Sequence, residues 1–202
     1  MTDNPAVRWT RADPSGDTLR LLLVGAPGSG KGTQGQALAS LYGVEHLSSG
    51  EVLRTEVRAG TPLGQEIAAF QRRGDLVPDH IVFDLLIPAV AAAAARGGYV
   101  LDGFPRTVAQ ALEAADVARR LDLTLDAAIY LNVPDALLVQ RLLSRARPDD
   151  TAEVIKHRLE VFTETTTPLI AYYRQRGILL EVDGDQPPEA ITAEIKARLA
   201  DR

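Results

Sequence analysis

Short apolar runs alternate with longer amphipathic stretches along this chain. Leu19 to Val24 is apolar apart from Arg20, similar runs recur at Tyr99–Leu101, Ala127–Val133 and Ile178–Val182, and a weaker one lies at Val44–Leu47. Each is short enough for a buried strand, and helical patterns separate them. Parallel strands need crossover connections, usually helices, so this order predicts an α/β fold in three layers, with helices on both faces of a five-stranded parallel sheet. Local chemistry marks the helix ends. One helix covers Thr33–Leu41; Pro78-Asp79 opens another that Gly97-Gly98 closes; Pro134 starts one reaching Arg145; Asp149-Asp150-Thr151 precedes one over Glu153–Phe162; Pro187-Pro188 starts the last, to about Ala200. Pro168 predicts a break or kink between residues 153 and 176, because it lacks an amide donor and its ring crowds the preceding turn.

The longest apolar stretch, Ile81 to Ala95, is interrupted by Asp84 and Pro88, and no stretch reaches the ~18 apolar residues of a membrane span. Residues 1–17 contain Asp3, Arg8, Arg11, Asp13 and Asp17, which leave no apolar core for a secretory signal. With Pro5, Pro14 and Gly16 they read as a flexible N-terminal tail ahead of a domain over 18–202. The 202 residues are 46% hydrophobic and 24% charged, sufficient for a globular core. The absence of cysteine excludes disulfides and thiolate metal sites and fits a reducing, cytoplasmic setting. A net charge of −5 argues against general nucleic-acid binding while permitting a local basic pocket. Only three of the 22 basic residues are lysines, which directs attention to Lys31.

Lys31 lies in Gly25-Ala-Pro-Gly-Ser-Gly-Lys-Gly-Thr33, directly after the first predicted strand and before a helix. A polyphosphate needs many close donors. Glycines let backbone N–H groups converge on it, the helix N-terminus adds positive potential, and a lysine supplies a point charge to the outer phosphates. The pattern departs from its usual form at Gly32, where Ser or Thr is common, and Thr33 follows one step later. The usual hydroxyl ligand of Mg²⁺ is therefore displaced. A second element, Tyr-Val-Leu-Asp102-Gly-Phe-Pro-Arg-Thr107, puts Asp102 at the carboxyl end of a strand, the edge where open parallel sheets bind ligands. There a carboxylate can order waters around Mg²⁺, and Arg106 can grip a phosphate with its planar fork.

Taken together, Gly25–Gln34, Ser48-Ser-Gly-Glu-Val-Leu-Arg54, Gly74-Asp-Leu-Val-Pro-Asp79, Leu101–Thr107 with Gln110, and the basic stretch Arg141 to Arg158 resemble adenylate kinase, within the nucleoside monophosphate kinases, over nearly everything from residue 19 onward. The resemblance implies an ATP site at Gly28, Ser29, Gly30, Lys31, Gly32 and Thr33, joined by Arg141, Arg145 and Gln186. It implies an AMP site at Ser49, Arg54, Val77, Gly103, Arg106 and Gln110, with Gln110 reading the adenine edge and Arg54 and Arg106 holding the phosphate. Arg147 and Arg158 clamp phosphates from the lid side, and Lys31, Arg106, Arg141, Arg147 and Arg158 form the catalytic group. The resemblance further implies that Arg141 also stacks on the ATP adenine, that Asp149 orients the lid arginines, and that Asp102 stands behind Mg²⁺ through water. Residues 48–77 correspond to the AMP-binding segment and 144–151 to a short lid without the hairpin that carries zinc in some relatives.

The activity so implied is reversible transfer from MgATP to AMP giving two ADP, by a monomer that needs neither nucleic acid nor membrane as partner. An acceptor phosphate is already ionised near neutral pH, so positioning and neutralisation of charge carry the reaction and no strong base is needed. His46, His80 and His157 are scattered and read as surface or satisfied residues. Glu51 stands where the family usually has Asp, and Ser144 where Gly is common. Two rivals stay open at this level. A UMP/CMP kinase shares the loop and the arginines but tends to differ at Ser49 and Thr107. A non-catalytic nucleotide-binding regulator would keep the fold while losing Lys31, Asp102 or the arginines.

Overall fold

A computed structural model describes residues 18–145 and 151–201. The predicted tail at 1–17, and Arg147 and Asp149 of the predicted lid, lie outside the described residues. The strands are β1 (Leu19–Val24), β2 (Glu45–Ser48), β3 (Gly98–Asp102), β4 (Ala127–Asn132) and β5 (Leu179–Asp183). They form one parallel sheet in the order β2-β3-β1-β4-β5. The weak Val44–Leu47 run is thus a real edge strand, shifted by one residue.

Alternation along the strands sorts the core into two layers. Leu21 and Leu23 point to one face with Val100, Ile129 and Val182, where α1 (Lys31–Tyr42) packs through Leu38 and α9 (Pro188–Ala200) through Ile191, Ile195 and Leu199. Leu22 and Val24 point to the other face. There they meet α2 (Ser49–Arg58), α3 (Pro62–Arg73), α4 (Asp79–Ala94) and α5 (Val108–Arg120) through Leu53, Ile67, Leu86 and Ala111. α6 (Asp135–Arg145) follows β4, and its Leu138 packs on Ala26 and Val133 at the carboxyl end of the sheet. α4 runs through Pro88 without ending, its burial of Ile81, Phe83, Leu86, Ala93 and Ala94 outweighing the lost amide bond.

The irregularity expected at Pro168 takes the form of a wide turn. α7 (Ala152–Val161) passes into a π-helical turn at Phe162–Thr166 and then into α8 (Thr167–Gln175). Pro168 cannot donate an amide. Just ahead of it, Thr163 and Thr165 donate their hydroxyls back to the carbonyls of Leu159 (3.0 Å) and Val161 (2.6 Å). Such back-bonding loosens a helix and lets it widen instead of breaking.

The strand order sets the position of the site. From β1 the chain crosses to β2 on one side, and from β3 it crosses to β4 on the other, so the loops leaving these two adjacent strands part and open a crevice at their carboxyl ends. Leu23 pairs with Asp102 in this register. The Gly-rich loop and the Asp102–Arg106 element therefore flank a single opening.

Candidate active site

The loop after β1 closes with Ser29 N–H on the Ala26 carbonyl (3.1 Å), and Gly30, at φ +94, caps α1 in a left-handed conformation no β-carbon would favour. Lys31, Gly32 and Thr33 thus occupy the first turn of α1, where amides have no helical acceptor. The Lys31 ammonium donates to the carbonyls of Gly25 (2.7 Å) and Ala26 (2.9 Å). Burial pushes its pKa down from 10.5 to about 8, against the opposing pull of Asp102, with Arg106 and Arg145 adding to the depression. Ser29 Oγ is buried without a hydrogen-bond partner, a polar group aimed at nothing the chain supplies.

Asp102 is 7% exposed. Its burial works against ionisation, yet His46, Lys31 and Arg106 together hold the carboxyl below its ordinary value. His46, from β2, brings Nε2 to 3.6 Å from Asp102 Oδ2, so this histidine, expected to be a surface or satisfied residue, is paired within the site's charge network. Its ring occupies the space above Gly35 of α1, where a β-carbon would lie 2.3 Å from Nε2. The available signal was its place two residues before Ser48, which pairs with Asp102. At Gly32 an added β-carbon would face Asp102 Oδ2 at 3.9 Å, so glycine there keeps space open above the carboxylate. No group of three or more possible metal ligands occurs among the described residues. A lone ionised carboxylate beside open space fits a Mg²⁺ ion whose other ligands are phosphate and water, not a protein-caged ion.

Beyond Asp102, Arg106 is fixed twice. Its Nε donates to the Gly103 carbonyl (2.7 Å), and its backbone N–H donates to Gln110 Oε1 (2.7 Å). Gln110 Nε2 in turn donates to Asp79 Oδ1 (2.6 Å), so the amide expected to read a base edge is engaged here in holding the arginine. Burial lowers the Arg106 pKa, Asp102 opposes this, and Arg158 and Arg54 add repulsion. Ser49 Oγ is a second buried hydroxyl without a partner, facing Gly103 so closely that a β-carbon there would lie 2.5 Å away. Arg54 is held by Glu51 through Nε (3.1 Å) and Nη2 (2.8 Å), and Arg58 reaches the same carboxylate at 2.7 Å. These bonds, Arg58's first and then Arg54's, push the Glu51 pKa down to about 2. The glutamate at this position therefore serves as an arginine holder.

The remaining arginines converge from other elements. Arg141 donates both Nη groups to the Gly184 carbonyl (3.2 and 3.1 Å), and Arg158 Nη2 donates to the Gln71 carbonyl at the end of α3 (3.2 Å). Arg145 is close enough to Lys31 to repel its proton. Gln186 Nε2 donates to the Asp183 carbonyl and to Glu194 Oε2 (3.2 Å each). One cavity of about 990 Å³ is lined by Gly28 through Thr33, Ser49, Arg54, Val77, Gly103, Arg106, Gln110, Arg141, Arg145, Arg158 and Gln186, together with Asp102. The structure thus brings together every sequence-expected site residue that it describes. The space is at the upper end of small-molecule sites.

The pKa of Lys31 carries a pH prediction. If this loop binds the phosphates of a substrate, as its sequence implies, kcat/KM for that substrate falls as pH rises through about 8, when the free protein loses the ammonium. The descending limb moves to higher pH in kcat, because bound phosphate favours the charged form. Parallel pH profiles of kcat/KM and kcat check this; coincident limbs would assign the titration to another group.

A family model described as adenylate kinase matches residues 23–178. A protein named adenylate kinase from Synechococcus sp. (strain WH7803) is 45% identical over 181 residues, covering 90% of this chain and 98% of its own length. One of the same name from Prochlorococcus marinus (strain MIT 9313) is 46% identical over 180 residues, 89% of this chain and 98% of its own. Another, adenylate kinase 1 from a Synechocystis species, is 42% identical over 176 residues, 87% of this chain and 94% of its own.

Proposed function

The chain belongs to the adenylate kinase family, and from that premise we propose a division of labour among its residues. The enzyme is a nucleoside monophosphate kinase that transfers phosphate reversibly between ATP and AMP. One observation carries the assignment of roles. The phosphate loop and the Asp102–Arg106 element leave neighbouring strands, and Lys31 and Arg106 both act on the charge of Asp102 at the mouth between them. Lys31 and the first-turn amides of α1 hold the donor's outer phosphates. Arg141 and Gln186 face the donor's base end. Arg54 and Arg106 hold the acceptor phosphate, while Ser49, Val77 and the Gly103 turn receive its nucleoside. Arg145, Arg158 and Arg147 of the lid complete the positive surround.

The chemistry asks the chain to align one phosphate oxygen with the terminal phosphorus of the donor and to neutralise the crowded charge. Lys31 and Arg106 do this from opposite sides of the transferring group, and no proton needs to move. Asp102 would hold Mg²⁺ through water, and the ion when bound would supply further charge neutralisation on the donor phosphates. Residues 48–77 act as the acceptor-side flap and 144–151 as the short lid, and their closure excludes water that would otherwise take the phosphate. A monomer suffices, since residues of one chain line both ends of the cavity. Coupled assays with MgATP against AMP, CMP, UMP and GMP test the acceptor. ADP formation with AMP exceeds the others by at least tenfold; preference for CMP or UMP would overturn the roles of Ser49 and Gln110.

A further inference from the structure

Among the described residues, Gln34 of the phosphate-loop helix hydrogen-bonds the far end of the sequence through its side chain, and it is 2% exposed. Its Nε2 donates to the Pro188 carbonyl (2.9 Å), and its Oε1 lies 2.8 Å from Thr192 Oγ1, whose single proton is shared between Gln34 Oε1 and the Pro188 carbonyl (3.0 Å). The amide orientation follows from chemistry. A carbonyl such as that of Pro188 can only accept, so the nitrogen must face it and the oxygen must face the hydroxyl. One turn further along α1, Leu38 packs in the same core cluster as Ile191 and Ile195, so the polar triad sits at the cavity end of an apolar helix contact. On one side of Gln34 stands Thr33, in the first turn that faces the phosphates. On the other stand Pro188 and Ile191, which line the cavity beside Gln186 and Arg141.

We infer that Gln34 is a positioning residue for the donor nucleotide, its amide setting the spacing between the phosphate cradle and the wall at 186–191 that receives the base. The inference rests on the placement of the ATP base proposed above. A nucleotide triphosphate has a fixed reach from base to outer phosphate, so a wall that drifts relative to the loop weakens binding of the whole donor without weakening binding of its phosphates alone. The acceptor site shares none of the three partners.

Inorganic tripolyphosphate separates these effects, because it occupies the phosphate cradle and has no base. The full chain is tested as Gln34→Met, Thr192→Val and Arg141→Ala, reading KM for ATP and AMP, kcat, the inhibition constant of tripolyphosphate and the thermal midpoint. Gln34→Met raises KM for ATP about tenfold and Thr192→Val about threefold, while KM for AMP, kcat at saturation and tripolyphosphate inhibition stay within twofold. Thr192→Val keeps the question open to decision if Gln34→Met fails to fold. Equal weakening of ATP and tripolyphosphate would make the amide a support of the phosphate loop alone and overturn the inference, as would a lowered midpoint with unchanged KM. Arg141→Ala marks the base wall. If it raises KM for ATP and Gln34→Met does not, the inference fails and the donor placement stands; if neither does, the base lies elsewhere and both fall.

Discussion

Replacing Lys31 with alanine lowers kcat/KM for ADP formation by about 10²–10³-fold while the thermal midpoint holds or rises. The two halves of this expectation have one cause. Buried under the loop, the ammonium has a pKa of about 8 against 10.5 in its ordinary setting. Between those values the unfolded chain binds more protons than the folded one, so stability grows as pH rises through that window. Below it, at neutral pH, the protein carries the full cost of keeping the charge dry. The Gly25 and Ala26 carbonyls and Asp102 offset only part of that cost. In the proposed division of roles donor phosphate is the partner that makes the position favourable, so alanine removes a destabilising group from the free protein and a stabilising one from the reacting complex. Steady-state kinetics beside a thermal melt read both. Activity within tenfold of the parent would place the transferring phosphate elsewhere.

What could be read in advance divides by the range of the interaction. The strands, the helix starts at Pro134 and Pro188, and the loop from Gly25 to Thr33 are written in contiguous residues, where period, proline and glycine act directly. The irregularity near Pro168 was legible as an event, but its form depended on threonine hydroxyls turning back on Leu159 and Val161. Side-chain partnerships across the sequence were not legible. His46 meets Asp102 only because β2 lies beside β3, and Gln34 meets Pro188 only because α1 and α9 share one face of the sheet. Gln110 shows the same limit from the other direction. Its position in the motif was evident, whereas its bonds to the Arg106 amide and Asp79 needed the packing of α4 against the turn after β3.

The way the arginines are held bears on catalysis in an overall acidic chain. Arg106 and Arg141 are oriented by the carbonyls of Gly103 and Gly184. A carbonyl fixes direction without cancelling charge, so each guanidinium is aimed in advance and keeps its positive charge for phosphate. Arg54 is different, since the exposed Glu51 carboxylate holds it and also takes Arg58. A phosphate arriving at Arg54 competes with that carboxylate, which marks Arg106 as the stronger acceptor-side anchor.

Arg106→Ala accordingly lowers kcat/KM for AMP by about 10²–10³-fold, with KM for ATP little changed. Arg106→Lys recovers no more than about a tenth of the parent activity. A lysine restores the charge, but not the planar pair of donors that Nε, bonded to Gly103, leaves facing the cavity. Among the described residues neither Nη group has a hydrogen-bond partner, so both are available for a bidentate phosphate contact. The double variant with Lys31→Ala loses less than the product of the single losses, because Lys31 and Arg106 both act on the Asp102 carboxylate and Arg106 also disfavours the Lys31 proton. Steady-state kinetics with AMP varied at saturating ATP measure all three variants. A lysine variant as active as the parent would reduce Arg106 to a point charge, and fully multiplicative losses would separate the two cations into independent sites.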